Sequence, residues 1–210
     1  MFGLFKRKPK IATLASLVDF IDAQSAFVVQ KGIYEYSRAR AGHYSKVLFR
    51  EPGFLSAVEE ARWKAFPLGL AMIAEVVDSA LRRNTPAVGG ATAAVEAATL
   101  EAFDRYPVPL SLGDAAWRAA RDALVVKLAH LTLHAPKRAF DVSEPYAQAY
   151  FDLMPIYEKL RRPDFPTLRN YLRVQLCNIY DEFLARLDIP ALSAEIAQAE
   201  PHAVALASND

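Results

Sequence analysis

The stretch KLAHLTLHAPKRAF, Lys127 to Phe140, holds two of the four histidines four residues apart in an apolar run that ends at a proline. At 100° per residue, a helix would put Lys127, His130 and His134 on one side as a polar seam. Two imidazoles one turn apart can share a zinc or iron ion. A catalytic zinc site also needs a third ligand and an open position. The seam lacks the glutamate of H-E-x-x-H and the Glu-x-x-His pairs of di-iron bundles. Lys127 adds a positive charge that opposes a cation. Histidines near a helix C-terminus also interact well with the helix dipole and the free carbonyls. The sequence therefore predicts no metal and no cofactor.

Other chemistry is sparse. There is no G-x-S-x-G elbow, and the glycine pair Gly89-Gly90 has the spacing of neither nucleotide fingerprint. Cys177, the single cysteine, lies among apolar residues at helical spacing and reads as buried filler. The carboxylates Glu59, Glu60, Glu75, Glu96, Glu101, Asp181 and Glu182 fall inside helical runs. They read mostly as solvated faces or as i, i+4 partners of arginine, such as Asp181 or Glu182 with Arg186. Two carboxylates on facing helices could still act as acid and base or hold a metal.

The charge is unevenly placed. Residues 1–50 hold nine Lys+Arg and three Asp+Glu, so +6; the remaining 16 and 21 give −5 and a net +1. The opening MFGLFKRKPK combines Phe2, Leu4 and Phe5 with Lys6, Arg7, Lys8 and Lys10. Such a tip can place its apolar residues in a lipid interface while the cations meet anionic headgroups, at ~1 kcal/mol per cation. IYEYSRARAGHYSK interleaves aromatic and basic residues. That pattern suits single-stranded nucleic acid or an acidic partner. The acidic body and the absence of a basic recognition helix argue against nucleic acid.

The elements that must position these groups are helical nearly throughout. Leu14, Leu17, Val18, Ile21, Val28, Ile33 and Tyr36 form one stripe, with Thr13 as N-cap and Gly42 as stop. A second helix starts at Pro52 and runs to Asn84, with a kink or break expected at Pro67. A third runs from Ala91 to Asp104. Its small residues favour close approach to a neighbour. Ser111 and Asp114 read as a capping box for a fourth, reaching His134 and apolar nearly all round, hence central. A short fifth helix is capped by Ser143. A loop at RRPDFP precedes a sixth from Thr167 to Leu187, and a last helix follows from Pro190, capped by Asp188. No strand, repeat or linker stands out.

The expected fold is all-α, a single-domain bundle of about six or seven helices. Residues 1–10 would form a tip, 11–200 the helical domain and 201–210 a tail. No apolar run approaches the ~20 residues that span a bilayer. The stretches MFGLFKRK, FVVQKGIYEYSRARAG, YPVP and LRVQLCNIYDEF resemble a set of small helical bacterial proteins without an assigned activity. The resemblance implies a bacterial cytoplasmic protein.

The reading is of a non-catalytic interaction module, recruited through its tip to a protein partner or to an anionic surface at the inner membrane face. The alternative is an enzyme or carrier with a site inside the bundle. That site would bind metal through His130, His134 and a carboxylate, or bind an apolar ligand. Self-association into a homo-oligomer fits the composition as well. Elemental analysis of the purified chain is expected to find no stoichiometric zinc or iron. About one ion per chain, lost in a His130→Ala/His134→Ala variant, would overturn that expectation.

Overall fold

The computed structural model describes residues 8–85 and 89–207, with side chains up to Ala199. Phe2, Leu4, Phe5, Lys6 and Arg7 lie outside the described residues. The described chain is all-α, with six long helices. Its sole pairing of extended backbone, among the described residues, is the isolated bridge between Ile11 and Leu187.

The first helical rod has three parts: α1 (Leu14–Val29), a π turn (Gln30–Glu35) and α2 (Tyr36–Ala41). Thr13 caps it, and Ser16 completes the capping box. Gly42, at φ 53, stops it in a conformation that L side chains rarely adopt. A short α3 (Ser45–Leu48) leads into α4 (Pro52–Asn84). Then come α5 (Ala91–Asp104), α6 (Gly113–Ala129), the short α7 (Ala139–Val142), α8 (Ala147–Asp152) and α9 (Glu158–Arg161), and finally α10 (Phe165–Arg186) and α11 (Ile189–Ala207).

The core is built around α4, which is buried almost continuously from Ala65 to Leu81. α1 and α5 pack on it and on each other, and α6, α7 and α10 cover its other faces. Pro67 does not interrupt α4, which is assigned helical from end to end. The proline lacks the amide that would bond the Trp63 carbonyl, and packing on both sides holds the helix through that gap. Glycine lets α1 and α4 approach: a Cβ on Gly69 would sit 3.2 Å from Val29 Cγ2 and 3.3 Å from the Ser25 carbonyl.

Four expectations are corrected. α6 is peripheral, burying only Trp117, Leu124 and Leu128, while Val126 is 58% and Leu133 73% exposed. The 33-residue α4 already fills the centre. Ser111 does not cap α6: the helix starts at Gly113, whose φ of 73 makes the turn, and the Ser111 hydroxyl has no partner. The Ser143 hydroxyl is also unpartnered. Its carbonyl, not its side chain, receives the amides of Tyr146 and Ala147 as the chain turns between α7 and α8. RRPDFP is not a loop but a 3₁₀ turn running into α10.

The π turn is locked from across the bundle. Tyr150 on α8 is fully buried, and its hydroxyl donates to the Val28 carbonyl at 3.0 Å. In an unbroken α-helix that carbonyl would accept the amide of Gly32. Gly32 is what lets the ring in, because a Cβ there would overlap the Tyr150 hydroxyl and lie 2.9 Å from Cε1. Gly32→Ala is expected to destabilise the fold by ~2 kcal/mol, overpacking outweighing the better helix propensity of alanine. Thermal melts would show a fall of roughly 4–8 °C, partly recovered by adding Tyr150→Phe.

Candidate functional site

Along the buried stretch of α4 stand three polar residues, Glu75, Asp78 and Ser79, each no more than 2% exposed. None can reach water, so each must be met by protein. Their partners come from the segment after α6, from Thr92 on α5, from Tyr146 just before α8 and from Arg82 on α4 itself.

Glu75 Oε1 faces Lys137 Nζ at 2.5 Å and His134 Nε2 at 3.4 Å, while Oε2 accepts from the Tyr146 hydroxyl at 3.3 Å. The Lys137 amide donates to Ser79 Oγ at 3.1 Å. Burial, together with the Glu75 charge, pushes the Tyr146 phenol far above its usual range. Lys127 Nζ lies 5.3 Å from the centre of the Tyr146 ring, a cation–π contact.

One turn further along α4, Asp78 accepts from Arg82 Nε at 2.9 Å and from the Thr92 hydroxyl at 2.6 Å. Burial still pushes the Asp78 carboxyl up, against the hydrogen bonds from Thr92 and Arg82. Glu96 on α5 is raised for the same reason, with the Asp78 charge adding to it. Arg82 also donates to the Leu131 and His134 carbonyls, and Arg83 to that of Pro136.

The polar seam is thus split. α6 ends at Ala129, a 3₁₀ turn takes Leu131–Leu133, and His134 is extended at φ −140. His134 and Lys127 reach the Glu75–Tyr146 cluster. His130 instead turns back on its own helix, Nδ1 2.5 Å from the Val126 carbonyl, and is exposed. α6 closes at Ala129 with the His130 amide on the Lys127 carbonyl, and beyond that end Arg82 holds the Leu131 and His134 carbonyls. Among the described residues no group of three His, Cys, Asp or Glu is arranged to hold a metal. Lys137 occupies the carboxylate oxygen that a cation would need.

The sequence reading placed Glu75 among solvated carboxylates and passed over Asp78. Both stand in LGLAMIAEVVDSAL, where apolar residues surround them on every helical side. That was the available signal. The pairing of Glu182 with Arg186, at 2.9 Å, is as expected. Cys177 is half-buried, and burial with the nearby Asp181 and Asp141 pushes its thiol up, away from the reactive thiolate.

Two cavities lie near. One of about 600 Å³ is bordered by Arg82, Thr85, Thr92 and Thr132. One of about 220 Å³ lies between α1, α5 and α11, lined by Leu14, Val18, Ala94, Ala97, Ala98 and Ile196 among others. The arrangement around Glu75 fastens residues 131–137 onto α4, with Lys137 close enough to Oε1 to form an ion pair although that oxygen accepts no well-aligned hydrogen bond.

No family model, curated protein or solved structure matches the chain.

Removing one partner of a buried charge costs more than removing both. Lys137→Met is expected to destabilise by ~1–3 kcal/mol, because it leaves Glu75 underpaired. Adding Glu75→Met should recover much of the loss. A double-mutant cycle by urea denaturation checks this, and additive losses would show that the two side chains do not act as a pair.

Proposed function

We propose that the protein is a non-catalytic helical interaction module, recruited to an anionic membrane surface by the segment that precedes Ile11. The observation that carries this reading is the clamp at that segment's exit. The Ile11 amide donates to the Arg186 carbonyl at 2.9 Å, and the Ile11 carbonyl accepts from Asp188 at 3.0 Å. The Ile11 side chain is fully buried. Arg186 Nε donates to the Pro9 carbonyl, and Lys8 pairs with Glu182 at 2.9 Å. A basic segment is therefore held at a fixed point, the junction of α10 and α11. Lys8 and Lys10 stand exposed there, and Ile189, 40% exposed, follows the clamp directly. The clamp also makes Lys8 and Pro9 part of the bundle's surface rather than of a separate tip.

No helix among the described residues is long and apolar enough to cross a membrane. The membrane reading is therefore of peripheral contact, at the inner face in the bacterial setting that the resemblance implies. A second reading, a carrier of an apolar ligand, is supported by the alanine-lined cavity of about 220 Å³, which exceeds the ~150 Å³ that suffices for benzene. The metal version of that alternative is disfavoured by His130, which points away from Glu75.

Deleting residues 2–7 tests the main reading. The deletion keeps Lys8 and the clamp, so the melting temperature is expected to stay within about 2 °C. Sedimentation with anionic vesicles should be strong for the full chain at low salt, weaken as salt rises, and drop in the deletion. Absence of vesicle binding by the full chain, or collapse of the fold on deletion, would sink the proposal.

A further inference from the structure

A second apolar and basic surface lies at the other end of α10, built from two distant parts of the chain. Arg40 on α2 donates to the Leu160 carbonyl at 2.6 Å and pairs with Asp164 at 3.0 Å, and the Tyr36 hydroxyl donates to Asp164 at 2.8 Å. These contacts bring the α2–α3 elbow against α9. Four large apolar side chains then project into solvent: Tyr44 at 74%, Val47 at 59%, Tyr157 at 66% and Leu160 at 57% exposure. The same elements carry the cations Arg38, Lys46, Arg50, Lys159 and Arg162, all exposed. Besides Asp164, the acidic groups at this end are Glu51, exposed beside Arg50, half-buried Glu35, and Glu158, which is paired with Arg162 at 3.0 Å, so Arg38, Lys46, Arg50 and Lys159 leave an excess of positive charge.

This end is firm beneath its projecting residues. Phe49 meets Tyr34 and Phe54 edge to face, with ring centroids 5.0 and 5.2 Å apart. Gly42 turns the chain just before Tyr44. Four large apolar side chains exposed on two adjoining elements are more than the scattered single residues of an ordinary surface.

We propose that this end, formed by the α2–α3 elbow and α9, is a docking surface for an anionic lipid bilayer. Charge complementarity selects an anionic partner. Within that class, separate projecting side chains suit a deformable interface, where they enter the headgroup region while lysine and arginine meet the phosphates. Tyr44 and Tyr157 could stack on bases, but Val47 and Leu160 could not, whereas all four side chains suit a lipid interface. The surface is distinct from the N-terminal exit. The clamp holds Glu182 and Arg186, the elbow holds Asp164, and the 22-residue α10 between them is about 33 Å long. The inference goes beyond the reading of the N-terminal segment and does not depend on it.

The test uses three variants of the full chain: Tyr44→Ser/Val47→Ser/Leu160→Ser, Lys46→Gln/Arg50→Gln/Lys159→Gln, and Phe2→Ser/Leu4→Ser/Phe5→Ser. Each is sedimented with phosphatidylcholine vesicles, with and without phosphatidylserine, and checked for unchanged circular dichroism and melting temperature. Both elbow variants are expected to lose at least about tenfold in affinity for the anionic vesicles. The N-terminal variant should retain binding that depends on the elbow. Elbow variants that bind like the unsubstituted chain would overturn the proposal and leave the N-terminal reading to its own variant. No binding to anionic vesicles by any form would overturn both. Binding of polyglutamate or of an oligonucleotide, lost in the elbow variants without any vesicle binding, would overturn the lipid assignment and name the partner's class instead.

Discussion

The bundle is organised by the need to neutralise Glu75 and Asp78 inside α4. A helix buried on all sides has no route to water, so an ionised carboxylate there must be met by donors or cations from other elements. The partners found are specific in place. Lys137, His134 and Tyr146 reach Glu75, and Arg82 and Thr92 reach Asp78. To bring Lys137 in, the chain must leave α6 early and lie along α4. Arg82 and Arg83 then take up the carbonyls of Leu131, His134 and Pro136. Two buried carboxylates on one helix thus hold the path of residues 131–137 along α4. An apolar core of the same volume would be at least as stable. What the charges add is register, because a slip of α4 by one residue would strand both.

A second constraint acts one helical turn from Tyr146, at Tyr150. The π turn inserts one residue into the first helical rod, which rotates everything after it by about 100°. Tyr150 holds the turn in place by taking the Val28 carbonyl, and Gly32 provides the space. The direction of α2, and with it the position of the elbow, follows from that turn. Packing deep in the core in this way decides where the exposed tyrosine and lysine residues of the elbow stand.

Most helices were legible in the sequence because their signals are local. Thr13, Gly42, Pro52 and the boundaries Ala91 and Asp104 all come from capping, proline and periodicity, which need no knowledge of neighbours. The failures share a different cause. α6 reads as central by its apolar content, yet centrality is decided by competition, and α4 is longer and apolar over a longer stretch. His130 and His134 share a face only if the helix continues, and it stops at Ala129, with Arg82 holding the carbonyls of the segment that follows. The π turn in QKGIYE carries no period that distinguishes it from α-helix. The candidate site was half legible: Lys127 and His134 belong to it, His130 does not. Its centre, Glu75, was seen as a carboxylate on a helix but not as one without water.

The basic front end of the sequence becomes two separate features in space. Of the nine Lys+Arg in residues 1–50, four lie in residues 1–10 and five in residues 31–50. The chain runs from the first group to Lys46 and Arg50 along one helical rod, Leu14 to Ala41, about 40 Å at 1.5 Å per residue, which carries Lys31, Arg38 and Arg40 on its far half. α10, about 33 Å long, runs back in the opposite sense, tied to the N-terminal clamp at Arg186 and to the elbow through Asp164. A flat anionic surface can meet both basic ends only if the rod and α10 lie along it. With the bundle upright, one end would touch and the other would stand some tens of ångströms away. Charge that looks like a single tail in the sequence therefore poses a question of orientation. The rod's length answers it: either the bundle lies on its long side, or its two ends serve two surfaces.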